Sequence, residues 1–256
     1  MSPHIGPDRT IHKGKPVRKE HRPHWAKRLH RLYQRAWVKH FLEPQFDSVG
    51  PYLDAGHPKY VSLYGPNISI GRCATLRTTP AYPITLTVWT SADREGRIDM
   101  GDYVLISPGT RILSSDHVTI GSNTMIAGEV YISDSDWHDV YDRTSEQGAH
   151  KPIVLEENVW LGYGVKVCKG VTIGKNSVIG AGSVVAKSIP ANVIAVGNPA
   201  RVVRELDPDR AIKKREDLYA DPDALMAEMQ QLERYFLRNN SLFSWLRALV
   251  APSGND

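Results

Sequence analysis

Between Ser133 and Val154 the chain reads SDSDWHDVYDRTSEQGAHKPIV, a polar stretch that sets His138 and His150 among Asp134, Asp136 and Asp139. His117 stands upstream in SSDHVTIG. Imidazole is the side chain that exchanges a proton near neutral pH, and a neighbouring carboxylate orients the ring and balances its charge. The same residue types also ligate metals, and a lone polar histidine in a loop is ordinarily structural or solvated. Residue type alone leaves these readings open, so the frame that positions the stretch has to decide.

That frame is a beat of six. Leu155, Leu161, Val167, Ile173, Ile179 and Val185 recur without a slip, and Gly162, Gly174 and Gly180 each follow one of them. Six fits neither the 3.6 of a helix nor the alternation of a half-buried strand, so the pattern predicts a repeat architecture, the hexapeptide parallel β-helix. Each hexad lays one short strand on one face of a triangular prism, with its aliphatic residue inward and a small residue at the corner. Upstream, Met100-Gly101, Ile106 and Ile112 keep the beat, and a two-residue slip resets it to Ile120-Gly121, Ile126 and Ile132. Ile70-Gly71 and Leu76 extend it weakly, which predicts a prism beginning near Tyr60, with residues 77–97 as an insertion or rim. ANVIAVGNPARVVREL reads as the cap. Residues 133–154 leave the beat altogether, and a long polar excursion from a rigid scaffold is where function concentrates.

The ends differ in character. Residues 1–43 carry 11 Lys/Arg against 3 Asp/Glu, whereas the remaining 213 carry 21 against 25. Residues 1–23 read as a flexible lead. Trp25, Leu29, Leu32, Tyr33, Ala36, Trp37 and Phe41 then recur at helical spacing among Lys27, Arg28, Arg31, Arg35 and Lys39, a basic amphipathic helix suited to packing or to an anionic membrane surface. Past Asp207, residues 224–237 and 242–249 read as two further amphipathic helices. The expected domains are 1–45, 46–206 with its loop 133–154, and 207–256. No run reaches the roughly 18 apolar residues of a membrane span, and the N-terminus lacks a secretory h-region, so a cytoplasmic protein is expected, with peripheral contact at the inner membrane face through residues 24–42 as an option. Cys73 and Cys168 have no metal-type spacing, and no cross-link is expected. Nothing beyond charge points to nucleic acid.

The segment KPIVLEENVWLGYGVKVCKGVTIGKNSVIGAGSVVAKSIPANVIAVGNPARVVREL resembles the C-terminal signature of the hexapeptide-repeat acetyltransferases, the group of maltose and galactoside O-acetyltransferases and surface-polysaccharide O-acetyltransferases. The match is dense over about residues 98–206, with NVWLG, IGAGSVV and GNPAR in order, and thin from 60 to 97. The resemblance implies a mainly β fold, a left-handed parallel β-helix with helical extensions at both ends, a homotrimer, and acetyl-CoA in the groove between neighbouring prisms. It also implies a general base on the excursion, at the position of His138, with a flanking carboxylate to orient it, Asp136 being the choice. His117 and His150 are the competitors. Asp139 stands where the sugar-acetylating pattern has Pro, which bears on the acceptor. The resemblance further matches Trp160 to an aromatic residue near the acceptor and pantetheine arm, and Tyr163, Gly164 and Ala181 to the pantetheine groove. It matches Lys187, Arg201 and Arg204 to the nucleotide end. The N–H of Gly164 is a candidate oxyanion donor.

The function so implied is acetyl transfer to a hydroxyl of a sugar or glycan precursor, as in polysaccharide biosynthesis. The alternatives are N-acetylation of an amino-sugar nucleotide and a non-catalytic β-helix scaffold. A β-helix carbonic anhydrase would need two histidines five positions apart, a pair this sequence lacks, so no metal is expected.

Overall fold

A strand every six residues can bury its aliphatic side chain only if the chain turns about 120° after each, and the computed structural model has that form. It describes residues 20–91, 94–144 and 148–252; most of the expected flexible lead lies outside them. Contacts divide the chain into two compact units, one of Leu32–Leu225 and one joining Met1–Arg31 to Met226–Asp256.

The larger unit is a three-sided prism of parallel strands. Its first face stacks Ser48–Val49, Ile68–Ile70, Arg97–Met100, His117–Ile120, Ile153–Leu155 and Thr172–Ile173. The second runs from Asp54–Gly56 through Leu105–Ile106, Met125–Ile126 and Trp160–Leu161 to Val178–Ile179 and a closing hairpin. The third includes Val61–Tyr64, Ile84–Val88, Arg111–Ser114, Tyr131–Ser133 and Lys166–Val167. Register is strict: Ile120 pairs with Leu155 and that with Ile173, while Ile126 pairs with Leu161 and that with Ile179. This is the left-handed parallel β-helix the resemblance implied. The six beat residues from Leu155 to Val185 are each at most 1% exposed, and burying such a side chain stabilises by about 1.5–3 kcal/mol.

Close approach, rather than freedom of φ, explains the glycines that follow the inward residues. A Cβ on Gly162 would lie 2.7 Å from the Ala181 nitrogen of the next coil. The left-handed corner positions go instead to Asn123, Asn158, Asn176 and Asn192, with φ between 59° and 65°. Asparagine tolerates that region, and its amides stack into a ladder: Asn158 Nδ2 donates to Asn176 Oδ1 at 3.0 Å and Asn176 Nδ2 to Asn192 Oδ1 at 2.7 Å.

Two expectations need correction. The prism begins at Ser48, two strands before Tyr60, because Phe46, Ala55 and Val61 fill its end although Pro51 and Pro58 interrupt the beat. Within residues 77–97 only part is an insertion: Ile84–Val88 is a regular strand of the third face, and a small hairpin of Thr90–Ser91 and Arg94–Glu95 is inserted after it at the corner. The slip before Ile120 is a longer turn at that same corner, through Ser115 and Asp116. At the other end Val193–Gly197 and Ala200–Glu205 pair antiparallel across a turn holding a cis Asn198–Pro199 bond. The helix α2 (Arg215–Leu218) was not foreseen. Arg215 Nε donates to the Tyr103 carbonyl at 2.6 Å, and the Glu216 N–H to Asn123 Oδ1 at 2.8 Å, fastening the chain along the asparagine corner.

The helices α3 (Pro222–Phe236) and α4 (Leu242–Val250) lie close to the ranges read from the sequence, and α1 spans His24–Trp37 before a π turn. In the smaller unit Lys27 Nζ sits 3.1 Å from Glu233 Oε1 and Arg31 pairs with the other oxygen. Burial raises the Glu233 pKa, but the hydrogen bonds from Arg31 and Lys27 outweigh it and hold the carboxyl below its usual range.

Candidate active site

The excursion leaves the prism at the corner between the third and first faces, and its root is ordered by pairing of its own two limbs. Asp136 N donates to the Ala149 carbonyl and Lys151 N to that of Asp134, each at 3.0 Å, and Ser135 bridges His150 antiparallel. Asp134, fully buried, is the pin: it accepts from Ser114 Oγ at 2.6 Å, Ser115 N at 2.8 Å and Asp116 N at 3.0 Å. Three donors compensate this buried carboxyl group for its desolvation. Gly148 packs so closely on the opposite limb that a Cβ there would lie 2.5 Å from the His138 carbonyl oxygen and 2.7 Å from its nitrogen. Trp137, with φ of 64°, turns the chain sharply just before His138, and its N–H donates to Ser135 Oγ at 3.1 Å. A bulky residue rarely adopts that region, and such strain concentrates at functional sites.

The His138 side chain is exposed. Of the flanking carboxylates, Asp136 gives both oxygens to Lys169 Nζ at 2.5 Å. Asp139 accepts the N–H groups of Asp142 and Tyr141, which hold its carboxyl below the usual range and fold the tip of the loop. The other two histidines are paired with carboxylates. His150 Nδ1 lies 2.8 Å from Asp116 Oδ2 at the root of the excursion. His117 Nε2 lies 2.8 Å from Asp99 Oδ2, while Ser69 Oγ donates to Asp99 Oδ1 at 2.6 Å, a polar row across the outside of the first face. Burial raises the Asp99 pKa, but the bonds from Ser69 and His117 more than offset it.

The expected donor residues occupy a different edge. Trp160, 48% exposed, opens a strand of the second face, and Tyr163, Gly164 and Ala181 lie at the corner between the second and third faces. Gly164 and Gly182 have φ of 67° and 71°, with nothing within 4 Å of where a Cβ would stand, so bare backbone faces outward there. The Tyr163 ring lies beside Gly128, and its phenol is held above its usual range by a hydrogen bond with Glu129. The Gly164 N–H is spent on the Gly128 carbonyl at 2.9 Å, so in this chain it is unavailable as an oxyanion donor, contrary to expectation. On the third face beside this corner a pocket of about 390 Å³ opens among Tyr82, Arg111, Glu129, Tyr131 and Lys166. Nothing in the order of residues marks it, because Arg111, Tyr131 and Lys166 come together only through strand register. Lys187 is exposed on the same corner as the excursion, and Arg201 and Arg204 are exposed on the closing hairpin. One prism thus places His138 and Lys187 on one edge, and Tyr163, Gly164 and Ala181 on another.

Cys73 and Cys168 are both free thiols, and burial pushes the Cys73 thiol up. Among the described residues no three His, Cys, Asp or Glu side chains converge, and no helix is long and apolar enough to cross a membrane.

The family described as bacterial transferase hexapeptide (six repeats) matches residues 152–187. The galactoside O-acetyltransferase of Escherichia coli K12 is 49% identical over 168 residues, covering 65% of this chain and 67% of that protein. The chain belongs to the hexapeptide-repeat acetyltransferases. WcaF of E. coli K12, named for colanic acid biosynthesis, is 38% identical to this acetyltransferase over 111 residues, 43% of this chain and 59% of that one. Across these and further curated relatives the chain spans between 35% and 67% of their length. Among solved structures, AntD, an N-acyltransferase from Bacillus cereus in complex with dTDP and 3-hydroxybutyryl-CoA, superposes with a TM-score of 0.54 at 21% identity. That match covers 76% of this chain and 96% of AntD, and establishes the shared fold.

Proposed function

We propose that this acetyltransferase moves an acetyl group from acetyl-CoA to a hydroxyl of a sugar or glycan precursor, as a homotrimer with its sites between neighbouring prisms. The observation that carries the reading is the division of the site: base edge and groove edge lie on different corners of one prism, so a second copy completes the constellation. The galactoside O-acetyltransferase relative supports a sugar hydroxyl as acceptor.

In the reaction His138, neutral at the outset, takes the proton of the acceptor hydroxyl as its oxygen attacks the thioester carbon. The C–O bond forms, the tetrahedral adduct collapses with cleavage of C–S, and the imidazolium returns the proton to the departing sulfur. Asp136, anchored by Lys169, orients the ring. Trp160, Tyr163, Gly164 and Ala181 line the pantetheine path, the open backbone at Gly164 and Gly182 admitting an extended amide chain. Lys187, Arg201 and Arg204 receive the phosphates of coenzyme A.

A thiol-release assay with acetyl-CoA and a panel of galactosides, glycans and amino-sugar nucleotides tests this directly. His138→Ala should lower turnover by about 10²–10⁴-fold, the usual contribution of a positioned base. Equal turnover in variant and wild type would remove His138 from the role. The His150–Asp116 pair supports a second reading, in which His150 is the base; a His150→Ala loss exceeding that of His138→Ala would select it. The apolar side of α1, with Trp25, Leu29 and Tyr33 exposed among basic residues, supports peripheral attachment to an anionic inner membrane face. Flotation with anionic vesicles, with and without residues 1–45, tests that separately.

A further inference from the structure

Three aromatic rings step along the corner that carries the excursion. Tyr64 closes the first strand of the third face, Trp89 follows the next strand on that face, and Trp137 comes from the excursion above. Tyr64 and Trp89 have ring centroids 5.3 Å apart, and Trp89 and Trp137 6.1 Å, tilted and near-perpendicular respectively. Tyr64 is 58% and Trp89 47% exposed. Tyr64 and Trp89 end adjacent strands, one coil pitch of about 4.8 Å apart, whereas Trp137 reaches back from the excursion past the intervening strand Arg111–Ser114 to meet Trp89, so the rings form a staircase along the prism axis.

Three features give the staircase an occupant. It runs into the residue immediately before His138, so a molecule lying on it ends at the proposed base. Its last step is held by strain, since Trp137 stands at φ of 64° with its N–H tied to Ser135 Oγ. Its rim is polar: the exposed hairpin residues Thr90, Ser91 and Glu95 follow Trp89 directly. Exposed aromatic faces beside hydroxyl and carboxylate groups suit a pyranose, which presents C–H bonds on its ring faces and hydroxyls around its edge.

We propose that Tyr64, Trp89 and Trp137 form a glycan-binding platform that seats an oligosaccharide or polysaccharide acceptor, delivering one residue of the chain to His138. This rests on the reading of the site as a sugar O-acetyltransferase, and extends it from a single sugar to a polymer of at least two further residues.

The test separates platform from chemistry by reading binding without turnover. Tetrasaccharides of β-linked galactose, glucose and N-acetylglucosamine are titrated into the full-length protein while tryptophan fluorescence is followed. At least one should bind and shift the emission. Trp89→Ala should weaken that binding tenfold or more, Tyr64→Ala less, and Trp89→Phe should retain most of it. In the thiol-release assay Trp89→Ala should raise KM for that tetrasaccharide by a similar factor, leaving KM for acetyl-CoA and turnover of the matching monosaccharide unchanged. Binding without acetyl transfer would keep the platform and overturn the O-acetyltransferase reading. Failure of all three tetrasaccharides to bind, or equal binding by Trp89→Ala, overturns the platform. So does a Trp89→Ala variant that changes oligomeric mass in light scattering with sugar binding intact, since the rings would then be a subunit contact.

Discussion

At Gly148 a single hydrogen atom in place of a methyl group positions the proposed base. A Cβ there would collide with the His138 carbonyl oxygen and nitrogen, and backbone atoms in a pinned loop have little room to give. Gly148→Ala should therefore displace His138 while leaving the prism core untouched. Misplacement of a catalytic group by about 1 Å costs roughly 10²-fold, so kcat/KM should fall by about that factor with the melting temperature nearly unchanged. A parallel measurement of activity and thermal unfolding checks both halves; full activity would show that the loop accommodates the methyl group, or that His138 is not the base. The sequence reveals none of this. His138 stands out through resemblance, but Gly148 is an ordinary loop glycine until the limbs close. The His150–Asp116 pair joins residues 34 apart, and Trp89 meets Trp137 only across stacked coils.

The elements of the prism are legible in proportion to their regularity. From Leu155 to Val185 nothing interrupts the six-residue period, and every beat residue is inside. The first coil escapes notice because prolines and a left-handed His57 break it, and Ile84–Val88 because its hairpin separates it from the next beat. The corner asparagines are visible in the sequence as ENV, KNS and ANV, but their coupling is not. Asn176→Ala would remove both amide bonds of the ladder and place a Cβ-bearing residue of poor left-handed tolerance at φ of 61°. The expected loss is about 1–2 kcal/mol, read as a lower urea midpoint with unchanged m, and Asn176→Gly should recover the backbone part only. The helical unit makes a different prediction, in pH. The folded-state pKa of Glu233 is depressed by Arg31 and Lys27, so its stabilisation is complete above the unfolded carboxylate value and is lost as pH falls through the lower folded value. Amide exchange in the smaller unit's part of α3 should therefore accelerate below about pH 4 in the wild type, and Glu233→Gln should show that faster exchange already at pH 7.

For the whole molecule the question is how many chains make one site. In a closed three-fold ring each contact joins one edge of a subunit to a different edge of its neighbour, so a site between subunits draws its base from one chain and its donor groove from the next. Ala181→Tyr should block the groove edge, where Ala181 is exposed, and leave the excursion intact. His138→Ala should do the reverse. Each variant alone should be nearly inactive. Co-expressed in equal amounts and mixed at random, they pair an intact base with an intact groove in one contact of four, so turnover should return to about a quarter of wild type. Light scattering must first give three times the chain mass, and turnover is then read on the whole mixture without separating its assemblies. If base and groove served the same site within one chain, mixing would restore nothing, since every chain would still carry one defect. Recovery near one quarter would assign the coenzyme A path to the space between prisms, with the excursion of one chain facing the bare corner of the next.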